Sequence, residues 1–218
     1  MFKENYHKDL QVLSKAITNR QFLGQREMET LTKLAALVNY QLPVNDGLLI
    51  DLGCGDRHLE YTVKDMGLNY QGFDITDLDL ERDKLPVADN SVDIAVSLAV
   101  IEHIQNPEIF LSEIYRVLKP GGLIYLSTPN WQMDTKNFYN DPTHVKPYTP
   151  HSLERTLRMF NFQKPETFPG LRCKPLWFYK GRYRFLKAFY IFPFQGTQAL
   201  VPKFLRGHSR SIFALATK

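Results

Sequence analysis

Two short segments of this sequence combine glycines and carboxylates in a pattern that favours nucleotide binding. The apolar run Leu48-Leu49-Ile50 leads into Asp51-Leu52-Gly53-Cys54-Gly55, and a second predicted strand ends at Asp74. Glycines allow a sharp turn and let a ligand approach the backbone closely. A carboxylate at the end of the second strand can accept hydrogen bonds from both hydroxyls of a ribose. The pattern therefore predicts a site for an adenosine-containing cofactor.

The loop after the first predicted strand lacks the third glycine of a dinucleotide-binding fingerprint. That fingerprint, Gly-x-Gly-x-x-Gly, requires glycine at the position that His58 occupies in this chain. A nicotinamide-dependent oxidoreductase is therefore disfavoured. The acid-x-Gly-x-Gly arrangement suits a cofactor that carries an amino acid, because it offers an acceptor for an ammonium group and backbone donors for a carboxylate.

Alternating apolar patterns predict the strands and helices that position these residues. Apolar and β-branched runs predict strands at 48–50, 70–75, 92–97, 123–127, 161–168 and 211–217. Helical spacing predicts helices at 8–40, 57–66, 106–118 and 150–160. This alternation is typical of an α/β fold, a Rossmann-like doubly wound sheet with helices on both faces. Ligands bind such sheets at the carboxyl ends of the strands, where Asp51 and Asp74 are predicted to lie.

Composition is that of a globular protein of 218 residues, with 44% hydrophobic and 23% charged residues. Such a chain can bury a sizeable core without disulfides, and this composition excludes a mostly disordered or collagen-like chain. The two cysteines, Cys54 and Cys173, match no metal-ligand spacing, so no metal site and a reduced, cytoplasmic protein are expected. The longest charge-free stretch near the C-terminus, 188–202, contains Pro193 and Gly196 and is too short for a spanning helix.

Charge is distributed unevenly along the chain. From Thr167 to Lys218 there are ten basic residues and no acidic one, although the net charge of the whole chain is only +4. In 170–210 these basic residues alternate with aromatic ones, which predicts a substrate lid. Three partners suit such a surface: an anionic small substrate, a membrane surface carrying a lipid-linked substrate, or nucleic acid. The alternative is a segment that packs on the body or forms a dimer interface.

From about Leu48 to Phe162 the sequence resembles the class I S-adenosylmethionine-dependent methyltransferases, in their small type-eleven branch. Five segments carry the resemblance: Leu49–Gly55, Gly72–Asp74, Leu85–Asp93, Val100–Ile104 and Arg116–Gly122. The resemblance implies S-adenosylmethionine as cofactor and a sheet of about seven strands, mostly parallel with an antiparallel C-terminal strand. The expected organisation is a helical cover (1–45), a cofactor-binding core (46–169), a basic aromatic insertion (170–210) and a final core strand (211–218).

The resemblance also implies roles for individual residues. Those that match the cofactor motifs are expected to hold the methionine part (Asp51, Gly53, Cys54, Gly55), the ribose (Asp74, Ile75), the adenine (Glu81, Arg82) and the sulfonium region (Ser97, Leu98). Glu81-Arg82 departs from the Asp-Ala pair that relatives have near the adenine. Cys54 is expected to be a small loop residue and not a nucleophile.

Methyl transfer is an in-line displacement on a sulfonium, so catalysis rests largely on positioning, and an oxygen nucleophile often needs a general base. The segment 140–149 resembles an Asp-x-x-His stretch of relatives that methylate sugars and quinone-pathway phenols. Histidine is the usual side chain for proton transfer near neutral pH, so His144 is the predicted base, with Asp141 orienting it. The alternative is that both residues are structural. His103, Trp131, Tyr139 and Tyr148 are expected to line the acceptor site, unless the aromatic rings belong to the core.

The predicted function is O-methylation of a small molecule, with a sugar or glycan precursor as the favoured acceptor and nitrogen or carbon acceptors left open. Nucleic acid is a disfavoured partner, because Ser97-Leu98-Ala99-Val100 lacks the Asn/Asp-Pro-Pro-aromatic stretch of base amino-methyltransferases. Peripheral membrane contact remains open, and nothing in the sequence fixes the oligomeric state. The alternative from another class is a non-catalytic binding module at a membrane or RNA surface.

Overall fold

The computed structural model describes residues 20–169 and 210–218. In this part of the chain six strands form one mixed sheet in the order β2-β1-β3-β4-β6-β5. Their bounds are Leu48–Leu52 (β1), Asn69–Phe73 (β2), Val92–Leu98 (β3), Leu118–Pro129 (β4), Gln163–Pro169 (β5) and Ser211–Thr217 (β6). The strands β2, β1, β3 and β4 are parallel, and β6 runs antiparallel to both β4 and β5.

Helices cover both faces of this sheet. They are Arg20–Leu37 (α1), Glu60–Asp65 (α2), Glu108–Val117 (α3), Trp131–Asp134 (α4) and Pro150–Met159 (α5), with 3₁₀ helices at Ile101–His103 and Phe138–Asn140. Side chains alternate across each strand, so neighbouring residues enter different cores. Leu49 packs with α1 and α2, whereas Ile50 packs with α3 and α5. The predicted α/β class is therefore confirmed.

The described residues form six strands, one fewer than the count of about seven that the resemblance implies. Between β2 and β3 the chain forms turns, because aspartate side chains there satisfy backbone amides that a strand would pair. The carboxylates of Asp77, Asp79 and Asp83 accept hydrogen bonds from the amides of residues 74, 81 and 79. As a result β2 is an edge strand of the described sheet.

The start of β4 also differs from prediction. β4 begins at Leu118 and includes Pro120-Gly121-Gly122, whereas the sequence predicted a strand that starts only at Leu123. Gly121 has a φ of 78°, which L side chains rarely adopt, and it follows the end of α3 at Val117. Residues 8–19 of the predicted first helix and 170–209 of the predicted insertion lie outside the described residues. Among the helices of the described residues, none is long and apolar enough to cross a bilayer.

Candidate active site

The carboxyl ends of β1, β2 and β3 lie side by side and bring the predicted cofactor residues to one edge of the sheet. Asp51 pairs with Gly72 on one side and Val96 on the other, so the loops after these strands are neighbours. Asp74 follows β2 directly, and its neighbour Phe73 pairs with Leu52, the residue after Asp51. The parallel register alone produces this convergence.

Gly53 and Gly55 shape the loop after β1, and each has a positive φ, of 78° and 50°. A Cβ on Gly53 would lie 2.3 Å from Cγ2 of Val100, so the loop after β3 leaves room only for glycine there. A Cβ on Gly55 would have no atom within 4 Å, so the backbone at this residue borders open space. The loop therefore offers an exposed stretch of backbone that a ligand can approach.

Asp51 is a buried carboxyl beside this loop, with 2% of its surface exposed. Burial raises its pKa to about 7, although a hydrogen bond from the Tyr70 hydroxyl, 2.9 Å from Oδ2, acts in the opposite direction. A buried carboxyl that is costly to ionise gains from a cationic partner. This is the acceptor that the ammonium group of an amino-acid-bearing cofactor needs.

Asp74 and Ile75 form a tight turn after β2. Oδ1 of Asp74 accepts a hydrogen bond from the amide of Ile75 at 2.9 Å, and the Asp74 amide donates to Oδ2 of Asp77. The bond from Ile75 fixes the direction of the Asp74 side chain, and the bond to Asp77 holds its backbone at the sheet edge. A ribose could therefore be bound by a carboxylate that is already oriented.

Glu81 and Arg82 lie in the turns between β2 and β3, and the structure gives them different surroundings. Oε1 of Glu81 accepts hydrogen bonds from the amides of Gln105 and Asn106, just before α3. The Arg82 side chain is 84% exposed, 3.7 Å from Asp79. Glu81 thus ties this segment to the loop before α3, and Arg82 lies at the surface.

Ser97 and Leu98, the residues predicted to lie at the sulfonium region, end β3. Ser97 is buried and donates a hydrogen bond to the carbonyl of Leu52 at 3.0 Å, which ties β3 to the end of β1. Ala99 follows with a φ of 57°, an unusual value for alanine. This turn directs the chain into the first 3₁₀ helix. Cys54 is buried, and burial raises the pKa of its thiol to about 12, so it is not an activated nucleophile.

His103, His144, Asp141 and Thr143 form a hydrogen-bonded cluster beside this turn. Nδ1 of His103 lies 2.8 Å from Oγ1 and 3.2 Å from the carbonyl of Thr143, whose hydroxyl donates to Oδ1 of Asp141 at 2.6 Å. Nδ1 of His144 lies 2.7 Å from the carbonyl of Phe138, and its Nε2 lies 3.7 Å from Oδ2 of Asp141. The two imidazole centroids are 4.7 Å apart. The fold thus joins residues that are about forty positions apart in the sequence.

An aromatic wall adjoins His144. Trp131, Phe138 and Tyr139 contact one another edge to face with centroids 5.0–5.6 Å apart, and Phe138 lies 4.6 Å from the His144 ring. Tyr139 is exposed and Phe138 is buried, so the wall has an outer and an inner part. Tyr148, predicted to belong to this wall, is buried in the core that α3 and α5 cover.

Glu102 is a buried acid next to the histidine pair, with 1% of its surface exposed. Burial raises its pKa to about 8, while a hydrogen bond from the Thr128 hydroxyl, 2.9 Å from Oε2, acts in the opposite direction. One potential ligand atom each of Glu102, His103 and His144 lies within 4.8 Å of the others. Within residues 20–169 and 210–218, these three side chains form the group whose types and mutual distances would suit a metal ion.

A family model described as a methyltransferase domain matches residues 22–166, well over half of the chain. The chain belongs to this methyltransferase family. Its cofactor is S-adenosylmethionine, and the buried Asp51 carboxyl, the open backbone at Gly55 and the oriented Asp74 fit that molecule.

Individual relatives of this methyltransferase share part of its length. A ubiquinone biosynthesis O-methyltransferase of Rhizobium etli (strain CIAT 652) is 24% identical over 152 residues, which is 59% of this chain and 61% of that protein. A SAM-dependent methyltransferase from Archaeoglobus fulgidus has the same fold, with a TM-score of 0.63 and 18% identity over 92% of this chain and 95% of that one. The structure of Haemonchus contortus phosphoethanolamine N-methyltransferase 2 in complex with S-adenosyl-L-methionine is also similar, with a TM-score of 0.56 and 16% identity. That comparison covers 86% of this chain and 52% of the Haemonchus chain. The chain spans less than two thirds of the length of the curated relatives it matches.

Three residues of this methyltransferase's site were not predicted from the sequence. Tyr70 holds Asp51, Glu102 is the buried acid, and Thr143 links Asp141 to His103. Tyr70 precedes Gly72 by two positions on the same strand, so strand alternation was a usable signal. No sequence signal indicated Thr143, because its partner His103 is distant in the sequence.

Proposed function

We propose that this methyltransferase transfers the methyl group of S-adenosylmethionine to a hydroxyl oxygen of a small molecule. The observation that carries the proposal is the histidine pair, His103 and His144, beside the turn after β3 and against an aromatic wall. A hydroxyl is a weak nucleophile, and an imidazole titrates in the range where it can accept the hydroxyl proton. The similarity to the Rhizobium ubiquinone biosynthesis O-methyltransferase supports an oxygen acceptor.

Asp51 and the Gly53–Gly55 backbone would hold the methionine part of the cofactor, and Asp74 with Ile75 would hold the ribose. The bound cofactor supplies an electrophilic methyl group on a sulfonium. Ser97 and Leu98 would border this methyl group, because they end the strand that lies next to β1. Here the chain positions two reactants and excludes water, which is where most of the catalysis of such a displacement arises.

The acceptor is proposed to be a ring compound, with a sugar or glycan precursor as the first class to test. Trp131, Phe138 and Tyr139 present edge-to-face rings against which an apolar ring face can pack. An anionic or lipid-linked acceptor is compatible with the ten basic residues from Thr167 onward. The predicted roles of Glu81 and Arg82 at the adenine remain part of this proposal.

Cofactor binding is tested by calorimetric titration of the protein with S-adenosylhomocysteine, with NAD as the control ligand. We expect micromolar binding of S-adenosylhomocysteine alone. The substitution Asp74→Ala should abolish it, whereas Asp65→Ala, an exposed aspartate on α2, should leave it unchanged. Equal binding by the Asp74→Ala variant would contradict the assigned ribose contact.

The acceptor is tested with methyl-labelled S-adenosylmethionine and two panels of small molecules. One panel carries hydroxyls (sugars, phenols and aliphatic alcohols), and the other carries amines with matched carbon skeletons. Transfer of label to members of the hydroxyl panel, with sugars foremost, is the expected result. Transfer to amines alone would refute the proposed reaction.

A further inference from the structure

We propose that Tyr70 is a positioning residue of the cofactor site, which keeps Asp51 as an oriented carboxylate for the ammonium group of S-adenosylmethionine. Its hydroxyl can do so only because residue 72, which lies next to that hydroxyl, is glycine. The proposal rests on the proposed function in one respect, because that function assigns Asp51 to the methionine part of the cofactor. It goes further by naming the side chain on which recognition of the amino acid depends.

The register of β1 and β2 brings Tyr70 and Asp51 to the same face of the sheet. Asp51 pairs with Gly72, and Tyr70 lies two residues before Gly72 on the same strand, so the three residues share one face. The ring of Tyr70 packs against the core that α1 and α2 cover, which limits its movement. From this position its hydroxyl donates a hydrogen bond to Oδ2 of Asp51 at 2.9 Å.

The side chain of Tyr70 crosses Gly72 to reach Asp51. A Cβ on residue 72 would lie 2.7 Å from the hydroxyl oxygen of Tyr70 and 2.9 Å from Sγ of Cys54, which is closer than real Cβ atoms approach other atoms. The end of a side chain moves more easily than the backbone, so a larger residue at 72 would displace the hydroxyl from Asp51. Gly72 is therefore part of the same arrangement, although it has no side chain that could bind the cofactor.

The hydrogen bond from Tyr70 favours the charged form of Asp51. Burial and the neighbouring carboxylate raise the pKa of the Tyr70 hydroxyl, so this group keeps its proton and remains a donor. A hydrogen bond to an ionised acceptor is roughly twice as strong as one between neutral groups. The two oxygens of a carboxylate accept about four hydrogen bonds, so Asp51 can accept from Tyr70 and from an ammonium group at the same time. Tyr70 thus offsets part of the cost of ionising a buried acid.

The other titratable and charged groups that act on Asp51 come from the loops after β1 and β2. They are the side chains of Cys54, Asp56, Arg57 and Asp74. The two aspartates disfavour ionisation of Asp51, whereas Arg57 favours it. On the other side of β1, β3 places the apolar Val96 opposite Asp51. All these groups are the same in wild type and in a Tyr70 variant, so a comparison of the two proteins isolates the effect of the hydroxyl.

The first test compares a ligand that has the amino acid with one that lacks it. S-adenosylhomocysteine carries the ammonium group, whereas 5′-methylthioadenosine shares its adenosine and sulfur but has no amino acid. In calorimetric titrations at pH 6, Tyr70→Phe should weaken binding of S-adenosylhomocysteine by about 10-fold, because a hydrogen bond to a charged group is lost. Binding of 5′-methylthioadenosine should be unchanged, and Tyr61→Phe, at an exposed position on α2, should affect neither ligand. Equal losses for both ligands, or no loss for S-adenosylhomocysteine, would overturn the proposal.

The loss in Tyr70→Phe should also depend on pH. Burial raises the pKa of Asp51 to about 7, so at pH 6 the cofactor-free carboxyl is protonated and must release its proton to water when it binds an ammonium group. Without the Tyr70 hydroxyl this ionisation costs more, so the loss of about 10-fold at pH 6 should shrink to less than about 3-fold at pH 8.5. The ratio of the two proteins' affinities at each pH cancels the titration of the ligand itself. A loss of the same size at both pH values would refute the claim that Tyr70 favours the ionised carboxylate.

Gly72→Ala tests the same contact without removing the hydroxyl. We expect it to weaken binding of S-adenosylhomocysteine and to spare 5′-methylthioadenosine, because the added methyl group displaces the Tyr70 hydroxyl from Asp51. In the Tyr70→Phe background that hydroxyl is already absent, so Gly72→Ala should lower the affinity further by less than about 3-fold. Fully additive losses would show that the two residues do not act through one contact.

Asp51→Asn, measured with the same two ligands, separates this proposal from the proposed function. Selective loss of S-adenosylhomocysteine binding in Asp51→Asn but not in Tyr70→Phe would refute the role of Tyr70 and leave the assignment of Asp51 intact. Wild-type binding of both ligands by Asp51→Asn would refute that assignment, and the role of Tyr70 with it. Selective loss in both variants is the result expected here.

Discussion

Replacing Asp51 with asparagine should make the cofactor-free protein more stable at alkaline pH, although it removes a residue of the cofactor site. Asp51 is buried, and burial raises its pKa from 3.8 to about 7. Asparagine has nearly the same shape and can still accept the hydrogen bond from Tyr70. The substitution therefore removes the cost of a buried charge and little else.

The size of the effect follows from the difference in pKa between the folded and unfolded states. Below pH 4 the carboxyl is protonated in both states and contributes nothing. Between pH 4 and 7 the unfolded chain has lost the proton and the folded chain keeps it, so the free energy of unfolding falls by about 1.4 kcal/mol per pH unit. Above pH 7 both states are ionised, and the full cost is on the order of 4 kcal/mol. Between pH 5 and a pH above 7, ionisation of Asp51 should therefore lower the free energy of unfolding by about 3 kcal/mol.

The assay is urea denaturation of wild type and Asp51→Asn at pH 5 and pH 8.5, at equal ionic strength. The difference between the two proteins should change by about 3 kcal/mol in favour of the variant on going to pH 8.5. Burial also raises the pKa of Glu102, so this residue makes the free energy of unfolding depend on pH. That contribution is the same in both proteins and does not affect the difference between them. Parallel pH profiles for the two proteins would refute the claim that Asp51 is ionised at a cost.

Two further pairs of substitutions, each measured by urea denaturation, test the close contact at Gly53 and the hydrogen bonds of Arg116. Gly53→Ala should lower the free energy of unfolding by about 2 kcal/mol or more, through a positive φ and the close contact with Val100, whereas Gly55→Ala should cost about 1 kcal/mol. Equal costs would contradict the close contact. Arg116→Ala should cost about 2–4 kcal/mol, because that guanidinium binds two carbonyls and a glutamate, whereas exposed Arg82→Ala should change stability by less than about 0.5 kcal/mol. A similar small cost for both arginines would show that the Arg116 contacts contribute little.

Local sequence patterns predicted much of the framework, because hydrophobic periodicity reflects which faces are buried. β6 lies at Ser211–Thr217 as predicted, and α5, predicted at 150–160, ends one residue earlier. The resemblance implied about seven strands, whereas the described residues form six, and between β2 and β3 aspartates bind the backbone in turns. Strand propensity does not account for such hydrogen bonds between side chains and the backbone, because it does not tell which amide each aspartate binds.

The sequence by itself determined the family, the cofactor and the glycine and carboxylate positions at the strand ends, because these depend on short motifs and on the register of parallel strands. The tertiary structure decided which groups meet. Burial of Asp51 and Glu102, the hydroxyl of Tyr70 on Asp51, and the contact of Thr143 with His103 all arise between segments far apart in the chain.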